Sequence, residues 1–281
     1  MLQPLPVLVV DEVVRRALLE DLSGGDLTTE SCIEEGALWT ARGVARKRMC
    51  TAGISVAAHV FHAVDASLSF ETHAEDGAVV EAGAVLFEVR GNARSILMGE
   101  RVALNLLQRM SGVATLTHRY VSAKATGSNT RITDTRKTTP GLRALERYAV
   151  RCGGGHNHRD NLGSAVLIKD NHVAAAGGVA QAIARARERA PHTSKIECEV
   201  DTLAQLREAI DAGADIVMLD NMSDEQVAKA LAISAGRVFL EASGGITLER
   251  IRALSALGIG AISSGALTHS APAVDIGLDF L

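Results

Sequence analysis

Two spacings of apolar residues divide the chain. Near its start Leu8, Val9, Val13, Val14, Ala17, Leu18 and Leu22 recur at helical intervals with Glu12, Arg15, Arg16 and Glu20 between them, which predicts an amphipathic helix over 7–22. The Ser-Gly-Gly-Asp-Leu-Thr-Thr run at 23–29 ends it, because Gly and small polar residues favour turns. Short β-prone runs at 38–46, 67–73 and 84–89, divided by glycines, then predict a small antiparallel sheet. Within them, 77–89 looks like the strand-turn-strand of a lipoyl or biotinyl carrier. The exposed lysine such a carrier needs is missing from the turn, so the plain sheet is the better reading. Residues 95–125 place Ile96, Leu97, Val102, Ala103, Leu106, Leu107, Met110 and Val113 on one face of a long helix. Gly112 is its candidate bend or break, since Gly weakens a helix interior by about 1 kcal/mol relative to Ala.

From Arg131 the rhythm changes to strands alternating with helices. Candidate strands are 131–135, 165–169, 195–200, 214–219, 237–241 and 260–264, with helical patterns such as 203–212 and 224–232 among them. Repeated βα units imply a parallel sheet or barrel. The segment from 131 to 270 is short for a closed eightfold barrel, which takes about 250 residues. The expected fold is therefore α/β: an N-terminal α/β sandwich over 1–110 and an open, incomplete β/α barrel over 111–270.

Each candidate strand carries polar groups at or near its C-terminal end. The series is Asp134, Arg136 and Lys137; Lys169 and Asp170; Glu197 and Glu199; Asp220 and Asn221; Glu241, Ser243, Gly244 and Gly245; Ser264 and Gly265. In βα barrels that face holds the active site, whereas the strand middles fill the core.

Charge sharpens this picture. The chain has 29 Lys and Arg against 33 Asp and Glu, a net charge of −4, yet Arg136, Lys137, His158, Arg159, Lys169 and His172 crowd into one stretch. Guanidinium forks and lysine point charges hold carboxylates and phosphates, so the cluster points to a small polyanion. It does not suggest nucleic acid, which asks for a basic face over a whole domain and for stacking aromatics, and here there are one Trp, two Tyr and five Phe. No apolar run of about 18 residues predicts a membrane span. The opening ten residues lack the basic start and small-residue cleavage site of a secretory signal, so a cytoplasmic location is expected. Cys32, Cys50, Cys152 and Cys198 are scattered without Cys-x-x-Cys spacing and read as reduced and structural, with Cys152 beside the Gly-rich stretch the one to watch.

The individual motifs admit alternatives. Glu197 and Glu199 alternate along one strand and share a face, where they could bind a sugar diol or a hard cation such as Mg²⁺, or form a salt-bridged strand end. Asp220 ends an apolar strand and either joins that site or caps the next helix. The clusters Ser243-Gly244-Gly245 and Ser264-Gly265-Ala266 follow consecutive late strands and together suggest a phosphate grip, to which His269 could add a donor. Lys169 could be a Schiff-base lysine, a cation for phosphate or carboxylate, or an ion-pair partner of Glu197 or Glu199, and the crowd of neighbouring cations favours the second.

Four segments in order carry a family resemblance: Asp134-Thr-Arg-Lys-Thr138, Gly153-Gly-Gly-His-Asn-His-Arg159, Leu167-Ile-Lys-Asp-Asn-His172 and Leu240-Glu-Ala-Ser-Gly-Gly-Ile246. The chain resembles the quinolinate phosphoribosyltransferases over nearly its whole length. The resemblance implies a seven-stranded open barrel, with the tail 271–281 joining the N-terminal sandwich. It implies transfer of a phosphoribosyl group from phosphoribosyl pyrophosphate to quinolinate with Mg²⁺, no organic cofactor, and release of carbon dioxide and pyrophosphate. By the same resemblance Arg101, Thr135, Arg136, His158 and Arg159 would hold quinolinate, and Lys137 and Lys169 would line the centre. Glu199 and Asp220 would take the ribose hydroxyls and help place Mg²⁺, and Ser243, Gly244, Gly245, Ser264, Gly265, Ala266 and His269 would hold the 5′-phosphate. A homodimer is implied, in which Arg101 is donated across the interface. His156 is given no role.

Overall fold

A computed structural model describes residues 2–281. Its contacts divide the chain into two units, one formed by residues 2–118, 138–154 and 266–281, the other by 119–137 and 155–265.

The first unit opens with α1 (Val7–Leu22) and α2 (Leu27–Cys32), the latter capped by Asp26, whose carboxylate accepts the Thr29 N–H at 3.0 Å. Strands β1 (Leu38–Ala45) and β2 (Met49–Cys50), helix α3 (Ile54–Val64), then β3 (Ser69–Thr72), β4 (Val79–Val80) and β5 (Val85–Asn92) follow. The expected amphipathic helix is present over the predicted span, but only Val10 and Val14 of its apolar residues are fully covered. Strand β5 packs Leu86, Phe87 and Val89 into the core, and Phe87 stacks on Phe70 with centroids 4.8 Å apart. The C-terminal strand of the chain returns to this sheet. Residues Ile276–Phe280 pair antiparallel with β1, giving a four-stranded order in which β1 and β5 are central.

Helix α4 (Ala93–Ser122) runs unbroken through Gly112. The glycine is required by a close approach instead of a break: a Cβ there would lie 2.1 Å from the Pro272 carbonyl oxygen. Gly112→Ala is expected to destabilise the protein by about 1–3 kcal/mol, because overpacking against backbone exceeds the helix-propensity gain of about 1 kcal/mol. Urea unfolding checks it; a stabilised variant would refute the crowding.

The second unit holds a six-stranded parallel sheet, with order β6, β11, β10, β9, β8, β7. In chain order the elements are β6 (Arg131–Thr133), α5 (Arg143–Cys152, which belongs to the first unit), β7 (Val166–Ile168), α6 (Asp170–Ala176), α7 (Val179–Arg189) and β8 (Ile196–Val200). Then come α8 (Leu203–Asp211), β9 (Ile216–Asp220), α9 (Asp224–Ser234), β10 (Phe239–Ser243), α10 (Leu248–Ala256) and β11 (Ala261–Ser263), before α11 (Ala266–His269) and β12 (Ile276–Phe280) of the first unit. All six predicted strands are present. The expected count of seven is corrected: the seventh place is one parallel bridge, Thr133 to His156. The physical reason lies next to it, since Asp134 accepts the His158 N–H at 2.7 Å and draws the chain out of the ladder after that bridge.

The sheet is strongly curled. His158 lies one place beyond β6 and so five strand steps from β8, which in a flat sheet would be roughly 24 Å at about 4.8 Å per step. Its ring nevertheless reaches Glu197 of β8 at 3.0 Å, and Arg159 Nη1 donates to the Ala165 carbonyl just before β7 at 3.0 Å. These contacts bridge the open side of an incomplete barrel.

Candidate active site

Asp134 ties the first motif to the second. It is fully buried after β6, its Oδ1 accepts the His158 N–H at 2.7 Å and its Oδ2 accepts from Asn157 Nδ2 at 2.6 Å. That anchoring brings Arg136 and Arg159 near each other. Burial first, and then the charge of Arg136, push the Arg159 guanidinium below its usual range, with Glu197 acting in the opposite sense. Two partly buried guanidiniums held together favour an anion between them. Thr135 Oγ1 accepts the Lys137 N–H at 3.1 Å, turning the backbone so that Lys137 is exposed.

Lys169 closes β7. Its backbone N–H donates to His172 Nδ1 at 2.9 Å while its carbonyl accepts the His172 N–H at 2.8 Å, so His172, counted above only as one of the clustered cations, frames the lysine. The Lys169 ammonium lies 2.7 Å from Glu199 Oε2. The ion-pair reading left open by the sequence is thus realised with Glu199, which does not prevent a role towards substrate.

Glu197 and Glu199 share a face of β8, as alternation requires, but have different surroundings. Glu199 is half-buried beside Lys169, whereas Glu197 is buried beside His158 and Glu241. Both His158 nitrogens are engaged, Nε2 with these carboxylates and Nδ1 with the Arg159 N–H at 2.7 Å.

Asp220 at the end of β9 accepts from Asn221 Nδ2 at 2.7 Å. The alternative of a helix cap is excluded, since α9 is capped by Ser223, whose Oγ accepts the Gln226 N–H at 3.2 Å. Asn221, at φ 52°, packs under Gly244: a Cβ on that glycine, itself at φ +85°, would lie 2.0 Å from Asn221 Oδ1. Arg250 braces the same loop from α10, donating to the Gly244 carbonyl at 2.5 Å, to Met222 O, and to Asp224 Oδ1 at 3.1 Å. Ser243, Gly244 and Gly245 are therefore held in place before α10. Ser264 is buried at the end of β11, where its N–H donates to the Thr133 carbonyl at 3.0 Å, and Gly265 follows it.

Arg101, Ala266 and His269 belong to the first unit. Arg101 and His269 are exposed, Ala266 opens α11, and His269 Nδ1 lies 2.7 Å from Ser270 Oγ. His156 is held below its ordinary value by burial, then by Arg131 and Lys124, and makes no contact that gives it a chemical role. The four cysteines are free thiols. Burial and then the charge of Asp76 push Cys152 up to about 12, so it is an inert thiol at neutral pH.

Sequence reasoning passed over Arg250, placed Glu241 among the strand-end polar groups without giving it a role of its own, and did not connect Asp134 with Asn157 and His158. Inward alternation with Ser243 on β10 was the available signal for Glu241. For Arg250 no local signal existed, because its partners are carbonyls on two other loops.

Fold and site together define an enzyme of the open β/α-barrel class, with cations and carboxylates gathered at the C-terminal ends of parallel strands. The chain belongs to the quinolinate phosphoribosyltransferase family: the family's N-terminal domain matches residues 26–111 and its C-terminal domain residues 113–279. It is 43% identical over 272 residues to a probable nicotinate-nucleotide pyrophosphorylase (carboxylating) of Bacillus subtilis, covering 97% of this chain and 93% of that protein. It is also 43% identical over 274 residues to the nicotinate-nucleotide pyrophosphorylase (carboxylating) of Mycobacterium leprae, covering 95% and 96%. The crystal structure of NadC from Streptococcus pyogenes superposes with a TM-score of 0.94 at 42% identity, covering 99% of each chain.

Proposed function

We infer that this enzyme transfers the phosphoribosyl group of phosphoribosyl pyrophosphate to quinolinate, giving nicotinate mononucleotide, pyrophosphate and carbon dioxide. The observation that carries the reading is the gathering of Arg136 and Arg159, whose mutual repulsion a dianionic ligand relieves, in one unit with the Lys169–Glu199 pair. Quinolinate brings two carboxylates to these cations. Thr135, Arg136, His158 and Arg159 form its pocket, and Arg101, exposed on α4, is supplied by a second copy of the chain in a homodimer. The phosphate of the sugar donor is gripped by Ser243, Gly244, Gly245, Ser264 and Gly265 of the second unit.

Glu199 and Asp220 end adjacent strands and are only partly buried, a donor set that fits Mg²⁺, which takes one or two carboxylates and completes its shell with water and substrate phosphates. When bound, the ion neutralises charge on the pyrophosphate. Glu199 and Asp220 also stabilise the positive character that grows on the ribose, while Lys137 and Lys169 meet leaving-group and carboxylate charge. The pyridine nitrogen attacks C1′ as pyrophosphate leaves. As the adjacent carboxylate departs as carbon dioxide, the electron pair of the broken C–C bond stays on the ring carbon, where the neighbouring positive nitrogen stabilises it until that carbon takes a proton from water, and no organic cofactor is required. The rate comes from positioning and electrostatics. Four free cysteines suit a reducing cytoplasm, and among the described residues no helix is long and apolar enough to cross a membrane.

The expected result is carbon dioxide release with quinolinate and none with nicotinate as acceptor, lost on Lys137→Ala. Turnover of nicotinate alone would reject the assignment. A non-catalytic sensor of sugar phosphates would show no turnover with either.

A further inference from the structure

The buried cluster around His158 has more charge than its hydrogens can balance. His158 Nε2 is 3.0 Å from Glu197 Oε2 and 3.7 Å from Glu241 Oε1, and both glutamates are only 4% exposed. On the other side of the ring, Nδ1 accepts the Arg159 N–H at 2.7 Å, so Nδ1 carries no proton and Nε2 carries one. That single hydrogen points at Glu197 and cannot serve Glu241 as well. Glu197 Oε1 and Glu241 Oε1 are both buried without a hydrogen-bond partner. Two adjacent carboxylates at this depth do not both ionise.

We propose that Glu197 and Glu241 are positioning residues, one ionised and one in its acid form. They clamp His158 as the Nε2–H tautomer, and through its Nδ1 they hold the Asn157–Arg159 turn in the shape that presents Arg159 to a substrate carboxylate. This rests on the assignment of Arg159 to quinolinate. The path is continuous: carboxylate pair, imidazole, Arg159 backbone, Arg159 guanidinium.

The proton resides on Glu241. The groups facing it are Glu197 from β8, His158 and Asp134 from the segments after β6, and Ser263 from β11. Burial, then the charge of Glu197, raise its carboxyl to about 7. For His158, burial opposes the charged form, but the hydrogen bond with Glu197 and the charges of Glu197, Glu241 and Asp134 outweigh it and raise the imidazole. An imidazolium would nevertheless aim its Nδ1 proton at the Arg159 N–H, which keeps the extra proton on the carboxyl. The same contact argues against a metal ion, although the three side chains offer ligand atoms within 4.8 Å of one another. Ligation through Nε2 would drive the ring proton to Nδ1, against that N–H.

Glu241→Gln reproduces the acid form in shape and hydrogen-bonding capacity. With the full-length wild-type enzyme, KM for quinolinate is expected to rise about tenfold as pH passes upward through about 7, with kcat and KM for phosphoribosyl pyrophosphate changing less. In Glu241→Gln that rise disappears, because the position no longer ionises. In Glu197→Gln, which takes the negative charge from the acceptor of the Nε2 hydrogen and sets an amide donor in place of one of its oxygens, KM for quinolinate is raised about tenfold across the range. A Glu241→Gln enzyme that keeps the wild-type pH profile would overturn the proposal, as would equal effects on both substrates. Nitrogen NMR of the wild-type imidazoles, with His158 assigned by its loss in His158→Gln, gives a reading independent of variant folding and of turnover. An unprotonated Nδ1 with a protonated Nε2 is expected below neutral pH, and an imidazolium there would sink the idea. If quinolinate is not turned over at all, the functional assignment fails while the tautomer measurement still decides the clamp.

Discussion

Lys169→Ala is expected to lower kcat/KM by about 10²–10³-fold, the usual cost of removing one preorganised charge at the reacting centre. The argument begins with exposure. Lys169 and Glu199 are 46% and 13% exposed and lie 2.7 Å apart. With its lysine end nearly half exposed the pair is screened by water and contributes little to folding, so the melting transition is expected to move by no more than a degree or two, about 1 kcal/mol or less. What is lost, on the proposed reaction, is the cation between leaving-group and carboxylate charge, together with the ion-pair partner of Glu199. Lys169→Arg should recover only part of the loss, because a planar fork does not occupy the place of a compact ammonium. Steady-state kinetics with both substrates saturating in turn provide the check. An alanine variant that keeps more than about a tenth of wild-type kcat/KM would remove Lys169 from the chemistry.

Glu146→Ala should instead act on stability, with a loss of about 3–5 kcal/mol. Glu146 on α5 is completely buried and is fully engaged within the first unit: Arg109 donates from Nε at 3.1 Å and from Nη2 at 2.7 Å, and Thr139 donates its N–H at 3.0 Å and its hydroxyl at 2.7 Å. Arg109 also donates to the Ala271 carbonyl at 2.7 Å and to Thr268 O. Removing the carboxylate leaves a guanidinium three-quarters buried without its counter-charge and releases Thr139, two residues after Lys137 in the chain. Thr268 follows closely on Gly265 in the chain, so this one brace anchors two segments that adjoin proposed substrate contacts. Replacing both partners with apolar residues of similar volume should recover much of the stability, as buried pairs are costly to break but not to exchange. Urea denaturation measures it, through a lowered midpoint at unchanged slope. A loss under about 1 kcal/mol would show that the pair is dispensable.

These two residues also mark what could be read before the structure. Lys169 was legible because an apolar run, Val166-Leu167-Ile168, ends on it, and the end of a parallel strand is where such folds place reactive groups. Glu146 and Arg109 were not, since their partners lie 37 residues apart in sequence and nothing local to either segment points to the other. His158 shows the intermediate case. Its motif marked it as functional, but both of its nitrogens turn inward to groups that periodicity does not connect.

The sequence by itself determined the six parallel strands, the first helix and the face on which the polar groups gather. Those follow from the periods of local side-chain placement, 3.6 for helices and 2 for strands. Only the tertiary structure decided that Gly112 admits the Pro272 carbonyl instead of breaking a helix, that Asp220 leaves capping to Ser223, and that the seventh strand shrinks to a bridge at His156. It alone separated Glu197 from Glu199, two residues apart on one face, by setting one against an imidazole and the other against an ammonium. The reason is that a side chain's direction is fixed by its own backbone, whereas its partner and its dielectric surroundings are fixed by how a curled sheet brings distant strands together.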